Sequence, residues 1–493
     1  MRHLKLVPIA ALTAAAALLA GCVHVPADTS KATGPDFAKA RVAPSITLPD
    51  GAWPAEQWWQ VYQDPQLNTL IQRALQDSPN LAVAQARVTN AQAAVTSQRA
   101  DEGARLDLNT GANRQRYSSN GFFPPPLGGA YYNDFSVQAR ASYDFDWWGR
   151  HRSLIAAALG EANASQAEAA QARQTLAANV AQSYFRLQML WARQDNVNAL
   201  TAVQRDLVRD VEARMAHGLV NQDALQRARL DLGTLTEQAS RYDTQAARER
   251  EALRALIGGD SEALADLARF QPRPADNALP HDLGMELLAR RPDLQAARWR
   301  VEAQLGRIAA SQAAFYPDIN LMAGIGLDAV SLGKLLRYPS RTPIAGGTLN
   351  LPIFDAGRLK AQLGAARAGR DELLAEYNQA VLDAVRDVAV QGATLQGLAR
   401  EEETHAAALE AARKLADNAQ ARLTRGLADR ADVLQAKQNM LRQRDTDLVL
   451  IDARLQAQVL LAEALGGGYH ADAGARTAAA ADTNTHANTN RPQ

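Results

Sequence analysis

The chain has 493 residues, a formal net charge of zero and one cysteine, Cys22, so neither a basic nucleic-acid-binding face nor an intrachain disulfide framework is implied. Aromatic residues make up only 5% while apolar residues reach 47%, much of it alanine. That mixture suits thin, closely approaching helices better than one thick globular core.

Arg2 and Lys5 precede an apolar run from Leu6 to Ala20. Charge, length and position make residues 1–21 a signal peptide, too short to count as a spanning helix. It closes with Leu19-Ala-Gly-Cys22, which resembles a bacterial lipobox. The resemblance implies cleavage before Cys22 and a covalent lipid on that residue; several acyl chains there give stable anchoring where one does not. The plainer alternative is a buried thiol beside an ordinary cleavage site. Val23, in place of Asp, points by resemblance to sorted lipoproteins toward the outer membrane. No other run of about 18 apolar residues follows, so no transmembrane helix is expected.

Residues 22–63 read as a lipid-anchored, extended arm, with Trp53, Trp58, Trp59 and Tyr62 pinning it to a helical body. Helix follows from Pro65 to about Arg99, broken at Pro79. Two alternating runs come next, Ala104–Arg114 and Phe135–Asp146, each with an apolar and a polar face. A loop rich in Gly, Pro, Tyr and Phe joins them. Such a hairpin fits a soluble sandwich or a membrane barrel, and the lipobox favours the barrel. Phe122, Phe123, Tyr131 and Tyr132 at one end, with Trp147 and Trp148 at the other, sit where interface girdles belong.

From Arg150 to about His217 no proline interrupts, and Gly160 is the one interior glycine, which predicts a helix about 100 Å long. It reverses at His217–Asn221, returns to Ile257, and a Pro-rich bridge, Gln271–Pro280, follows. The pattern then repeats. Ser78-Pro-Asn-Leu81 answers to Arg291-Pro-Asp-Leu294, and Ala213-Arg-Met-Ala-His-Gly-Leu219 to Ala421-Arg-Leu-Thr-Arg-Gly-Leu427. A third strand is expected over Ile319–Leu327 and a loop from Asp328 to about Pro343. Thr348–Arg358 reads as a short strand running straight into a second long helix. That helix turns at Gly426–Asp429 and returns to Gly468. The repeats are assigned to residues 64–260 and 282–468, and residues 469–493 to a disordered tail with nothing to bury.

Four membrane-type strands cannot close a barrel of their own, and an open sheet edge is not tolerated in lipid. The chain must then share its barrel with copies of itself.

Arg290-Arg-Pro-Asp-Leu294, Phe315-Tyr-Pro317, Phe354-Asp-Ala-Gly-Arg358 and Gly426 with Asp432-Val-Leu434 resemble the TolC-type outer-membrane efflux factors. Within them the lipid-anchored, OprM-like branch is most similar, over about Trp53–Gly468. The resemblance implies a mainly α fold with a small β part: long helical hairpins forming a periplasmic α-barrel below a twelve-stranded β-barrel shared by a homotrimer. It also implies a passive duct that takes cargo from an inner-membrane pump through a periplasmic adaptor. A duct for secreted proteins and a structural coiled-coil lipoprotein remain alternatives. Pro124–Gly129 resembles members serving pumps other than the proton-driven type.

By the same match Asp432 lines the pore beside the second turn, with Asp223 in the first repeat. Three Asp432 carboxylates in a narrow mouth would repel one another and favour cations. Arg425 and Arg430 are expected to hold neighbouring protomers through Asp223 or Asp429. The plainer reading is that Asp223 and Asp432 favour helix N-termini electrostatically. Gln435 stands where the family pattern places a second acid. Gly218, Leu219, Gly426 and Leu427 are the expected adaptor-docking turns. No enzyme is expected: hydrolase, metalloprotease and phosphate-loop patterns are missing, and Gly324-Ile-Gly-Leu-Asp-Ala329 lacks the helix a dinucleotide fingerprint needs. The eight histidines show no ligand spacing, so no cofactor beyond the lipid is expected.

Overall fold

A computed structural model describes residues 25–35, 46–276, 278–280, 287 and 289–470. The expected signal peptide, Cys22 and residues 471–493 of the tail lie outside these. The described helices, in order, are α1 (Pro65–Asp77), α2 (Pro79–Asp101), α3 (Arg150–Ala216), α4 (Gln222–Leu256), α5 (Pro292–Ala313), the short α6 (Leu332–Leu335), α7 (Arg358–Thr424) and α8 (Arg430–Ala464). Strands β1 (Arg105–Arg116) and β2 (Tyr131–Asp144) precede α3, and β3 (Asp318–Ala329) and β4 (Arg341–Asn350) precede α7. The duplication is exact in length: α3 and α7 have 67 residues each, α4 and α8 have 35.

The chain divides into two compact units, each drawing on both halves of the sequence. Of the described residues, one comprises 25–34, Val88–Ala164 and Ala297–Glu376; the other comprises those within Pro35–Arg87 and Ser165–Ala296 and from Tyr377 to 470. Helices α2, α3, α5 and α7 contribute residues to both.

The first unit holds the sheet. It is antiparallel in the order β1-β2-β3-β4, paired without a bulge. Thr110 opposes Val137, Val137 opposes Leu327, and Leu327 opposes Arg341, which places Leu106, Leu108, Ile325, Leu321 and Leu349 on one face. These large apolar side chains are all exposed; among the described residues nothing covers them. The opposite face carries Asp107, Asn109, Gln138, Arg140, Ser142 and Asn320. A soluble sandwich would have buried the apolar face, so the exposure decides between the two sequence readings.

Strand boundaries differ from expectation in both hairpins. β1 extends to Arg116, and β2 begins at Tyr131, inside the loop expected between them, and ends at Asp144, so Phe145 and Asp146 are not strand. β4 begins at Arg341, inside the stretch read as loop, and ends at Asn350, so Leu351 and Ile353 are not strand. Pro343 and the pair Gly346-Gly347 disguise β4. Leu351–Gly357 is instead a turn that launches α7. Asp355 accepts from the Gly357 and Leu359 amides at 3.0 and 2.8 Å. Asp146 does the same service for α3, accepting from His151 and Arg152 amides, both at 3.0 Å. Each carboxylate satisfies donors left orphaned at a helix start. Where helices of this unit cross, small residues allow close approach: a Cβ on Gly306 of α5 would meet the Ser153 carbonyl of α3 at 2.7 Å.

The second unit holds the principal core. Trp58, Trp59 and Tyr62, on a 3-10 turn, pack with Leu67 and Ile71 of α1, Tyr184 and Phe185 of α3, Leu253 of α4 and Leu455 of α8. Asp64, 1% exposed, caps α1 through one oxygen and accepts the Tyr184 hydroxyl through the other. Burial, and then Asp64, push the Tyr184 hydroxyl's pKa upward. Trp58, Trp59 and Tyr62 of the arm are therefore core, while Trp53 is half-buried against a separate cluster that includes Leu279 and Leu395.

Candidate functional site

The two helix reversals have the same construction. At the first, the Gly218 amide donates to Met215 and that of Leu219 to Arg214, both at 2.9 Å. At the second, Gly426 donates to Leu423 and Leu427 to Arg422, again at 2.9 Å. Gly218 and Gly426 have φ of 72° and 73°, a left-handed conformation that closes a helix and favours glycine. Both turns present an exposed leucine, Leu219 and Leu427.

The next helices begin differently. Asn221 caps α4, accepting from the Ala224 amide at 3.1 Å. Asp429 caps α8, accepting from the Asp432 amide at 2.9 Å, while the Asp432 carboxylate receives the Asp429 amide at 3.3 Å. This reciprocal capping box ties Asp432 to the helix start. Asp223 is the second residue of α4, whereas Asp432 is the third of α8, so Ala224 and not Asp223 occupies the position equivalent to Asp432. All five residues singled out, Asp223, Arg425, Asp429, Arg430 and Asp432, are exposed at or beside the turns.

Two of them find partners within the chain that the sequence did not announce. Asp429 accepts from Arg214 at 2.6 Å, and Arg214 also pairs with Asp210 at 2.9 Å. The Arg214 hydrogen bond, followed by the Asp432 amide, holds the Asp429 carboxyl below its ordinary value, and Asp429 in turn raises Arg214. Arg430 reaches Asp206 at 3.4 Å. Farther along α3 the contacts continue toward α8: Gln204 meets Gln438, Asn196 donates to the Leu441 carbonyl at 3.0 Å, and Arg193 pairs with Asp445 at 3.1 Å. Arg193 also lies over the Tyr242 ring of α4, 4.8 Å from its centre. The result is a polar seam from residue 193 to residue 214 of α3, joining the first hairpin to the return helix of the second. The signal was present as amides recurring on an otherwise apolar helix face, but it reads as solvated surface until the partners are known.

A second cluster fastens the N-terminal segment. Arg367 donates to the Ala27 and Pro26 carbonyls, both at 2.7 Å, and Arg370 pairs with Asp28 at 2.5 Å. The Arg370 hydrogen bond first, then the Ser30 amide, lowers the Asp28 carboxyl to about 2. The first described residues after the expected lipid site are thus held on α7. Among the described residues no cluster of His, Cys, Asp and Glu has the makings of a metal site. A cleft of about 370 Å³ between the arm and α7 and α8 is lined chiefly by Trp53, Trp58, Tyr62, Leu395 and Leu461, which is packing surface rather than a reactive constellation.

Comparison with known proteins adds the following. A family model described as outer membrane efflux protein matches residues 70–259 and 283–467. The multidrug resistance outer membrane protein MdtP of Shigella flexneri is 36% identical, over 95% of this chain and 98% of that protein. The crystal structure of the Vibrio cholerae outer membrane protein VceC is 31% identical, with a TM-score of 0.75 over 85% of this chain and 100% of the other. The open-state Neisseria gonorrhoeae MtrE outer membrane channel is 25% identical, with a TM-score of 0.75 over 91% and 98%.

Proposed function

Since the chain belongs to the outer membrane efflux protein family, we propose that it is the outer-membrane duct of a tripartite efflux system, a passive homotrimeric pore fed by an inner-membrane pump through a periplasmic adaptor. Three copies supply twelve strands, with the apolar sheet face toward hydrocarbon and the polar face toward a water-filled lumen. The observation that carries this reading is the uncovered apolar face of a four-stranded sheet whose two outer strands, β1 and β4, each pair on one side only. No catalytic step is required of any residue. Cargo crosses because the lumen is polar and continuous, and not because it is bound tightly.

In this reading the turns do the regulating. Asp432 lines the closed mouth, Asp429 and Arg430 hold the hairpins of each chain together through Arg214 and Asp206, and Arg425 and Asp223 face neighbouring copies. Leu219 and Leu427, presented by Gly218 and Gly426, are the apolar contacts offered to the adaptor. Cys22 carries the lipid that anchors the arm, and the segment clamped by Arg367 and Arg370 fixes where that anchor emerges. Residues 64–260 and 282–468 are the two copies of the ancestral strand-and-hairpin unit.

Replacing Asp432 with alanine removes a carboxylate from each of three copies. The expected outcome is greater leak through the isolated trimer in planar bilayers and weaker block by multivalent cations. Unchanged conductance and block would remove Asp432 from the gate.

A further inference from the structure

The charges on the sheet are sorted by face and by end. Its strands contain five acids, Asp107, Asp134, Asp144, Asp318 and Asp328, and the register puts all of them on the polar face. Of the five strand arginines, Arg105 and Arg140 share that face. Arg114, Arg116 and Arg341 do not: Arg116 opposes Tyr131, Arg114 opposes Asn133, and Arg341 opposes Leu327, all in line with the apolar residues. All three stand at the end of the sheet that bears the hairpin loops, away from the strand ends that lead into helices.

The β3–β4 loop extends this pattern. It carries Lys334 and Arg337, and no acid occurs between Asp328 and Asp355. The loop is folded: Leu335 is buried, and the Ser340 hydroxyl donates to the Lys334 carbonyl at 2.8 Å. Its remaining apolar side chains are nevertheless outside, with Leu332 at 66%, Leu336 at 86% and Tyr338 at 76% exposure. Arg341 lies 4.5 Å above the Tyr338 ring, and Arg114 lies 5.5 Å above that of Tyr131. Cations stacked on aromatic rings at the margin of an apolar band suit a partner that is both anionic and greasy.

We propose that this margin is a docking site for a phosphorylated, multiply acylated glycolipid of the outer leaflet, its phosphates held by Arg114, Arg116 and Arg341 and its acyl chains laid along the apolar face. The proposal rests on the outer-membrane reading above. It gains force from the trimer, because joining β4 of one copy to β1 of the next brings Arg341 beside the next copy's β1 arginines. A cluster of like charges on a lipid-facing surface then needs an anion to neutralise it.

The test uses the full-length protein, expressed in cells, located by density-gradient fractionation of membranes, and purified in mild detergent. Native mass spectrometry would measure retained lipid after incubation with bis-phosphorylated lipid A, monophosphoryl lipid A or phosphatidylglycerol. The expected result is retention of the bis-phosphorylated form, at least tenfold stronger than of the other two, and at least tenfold weaker in Arg114→Gln/Arg116→Gln/Arg341→Gln. Arg105→Gln/Arg140→Gln, on the polar face, should match the unmodified protein, and Arg341→Lys should keep most of the binding should the triple variant fold poorly. Equal retention by the triple variant, or equal retention of phosphatidylglycerol, would overturn the proposal. A chain absent from the outer-membrane fraction would instead overturn the functional reading on which it rests.

Discussion

Asp429 uses its two carboxylate oxygens for two separate purposes. Oδ1 accepts the Asp432 amide and starts α8, while Oδ2 accepts Arg214 and joins the hairpins. Asparagine retains a capping oxygen and loses the charge; alanine loses both. Asp429→Asn is therefore expected to leave hydrogen exchange at the first turn of α8 near that of the unmodified chain while raising channel leak. Asp429→Ala should raise both, with a loss of about 1 kcal/mol at the helix start. Identical behaviour of the two variants would contradict the division of labour. The pH dependence has a definite sign. The folded carboxyl is depressed below its ordinary 3.8, chiefly by Arg214, so its contribution is complete above that value and is lost as pH falls through the lower, folded one. Leak should rise on acidification below about pH 4, and rise less in Asp429→Asn, which lacks this carboxyl.

At the scale of elements, the repeat was the most legible feature, because helix length, turn sequence and strand–helix junction each recur. Asp146 and Asp355 show why the junction recurs: each caps a 67-residue helix. The start of β4 was hidden by Pro343 and by Gly346-Gly347, residue types that read as loop because they are depleted in strand interiors. The polar seam from Arg193 to Arg214 was hidden for another reason. Gln204, Asn196 and Gln438 are buried, but amide side chains carry no periodic signal that distinguishes a partnered interior from water. Helix contact supplies a sharper test. A Cβ on Gly306 would stand 2.7 Å from the Ser153 carbonyl and 2.8 Å from the Ala157 amide nitrogen, whereas one on Gly364 of α7 meets nothing within 4 Å. Gly306→Ala should cost about 1–3 kcal/mol by forcing α3 and α5 apart. Gly364→Ala should be neutral or stabilising by up to about 1 kcal/mol, since glycine disfavours helix. Thermal unfolding of the purified protein decides this, and equal shifts for both variants would refute the packing argument.

At the scale of the whole molecule, the account turns on the sheet edges. Each backbone N–H and C=O left unpaired in hydrocarbon costs several kcal/mol, roughly, so strands β1 and β4 cannot both end at lipid. In the function proposed above the remedy is repetition: β4 of one copy would complete β1 of the next, and three copies would close the wall. The most direct measurement is single-particle imaging of the full-length protein in lipid nanodiscs. The expected result is three chains around one barrel of twelve strands, with β4 hydrogen-bonded to β1 of the adjoining copy. A monomeric particle, or one whose four strands fold over a core within a single chain, would contradict it.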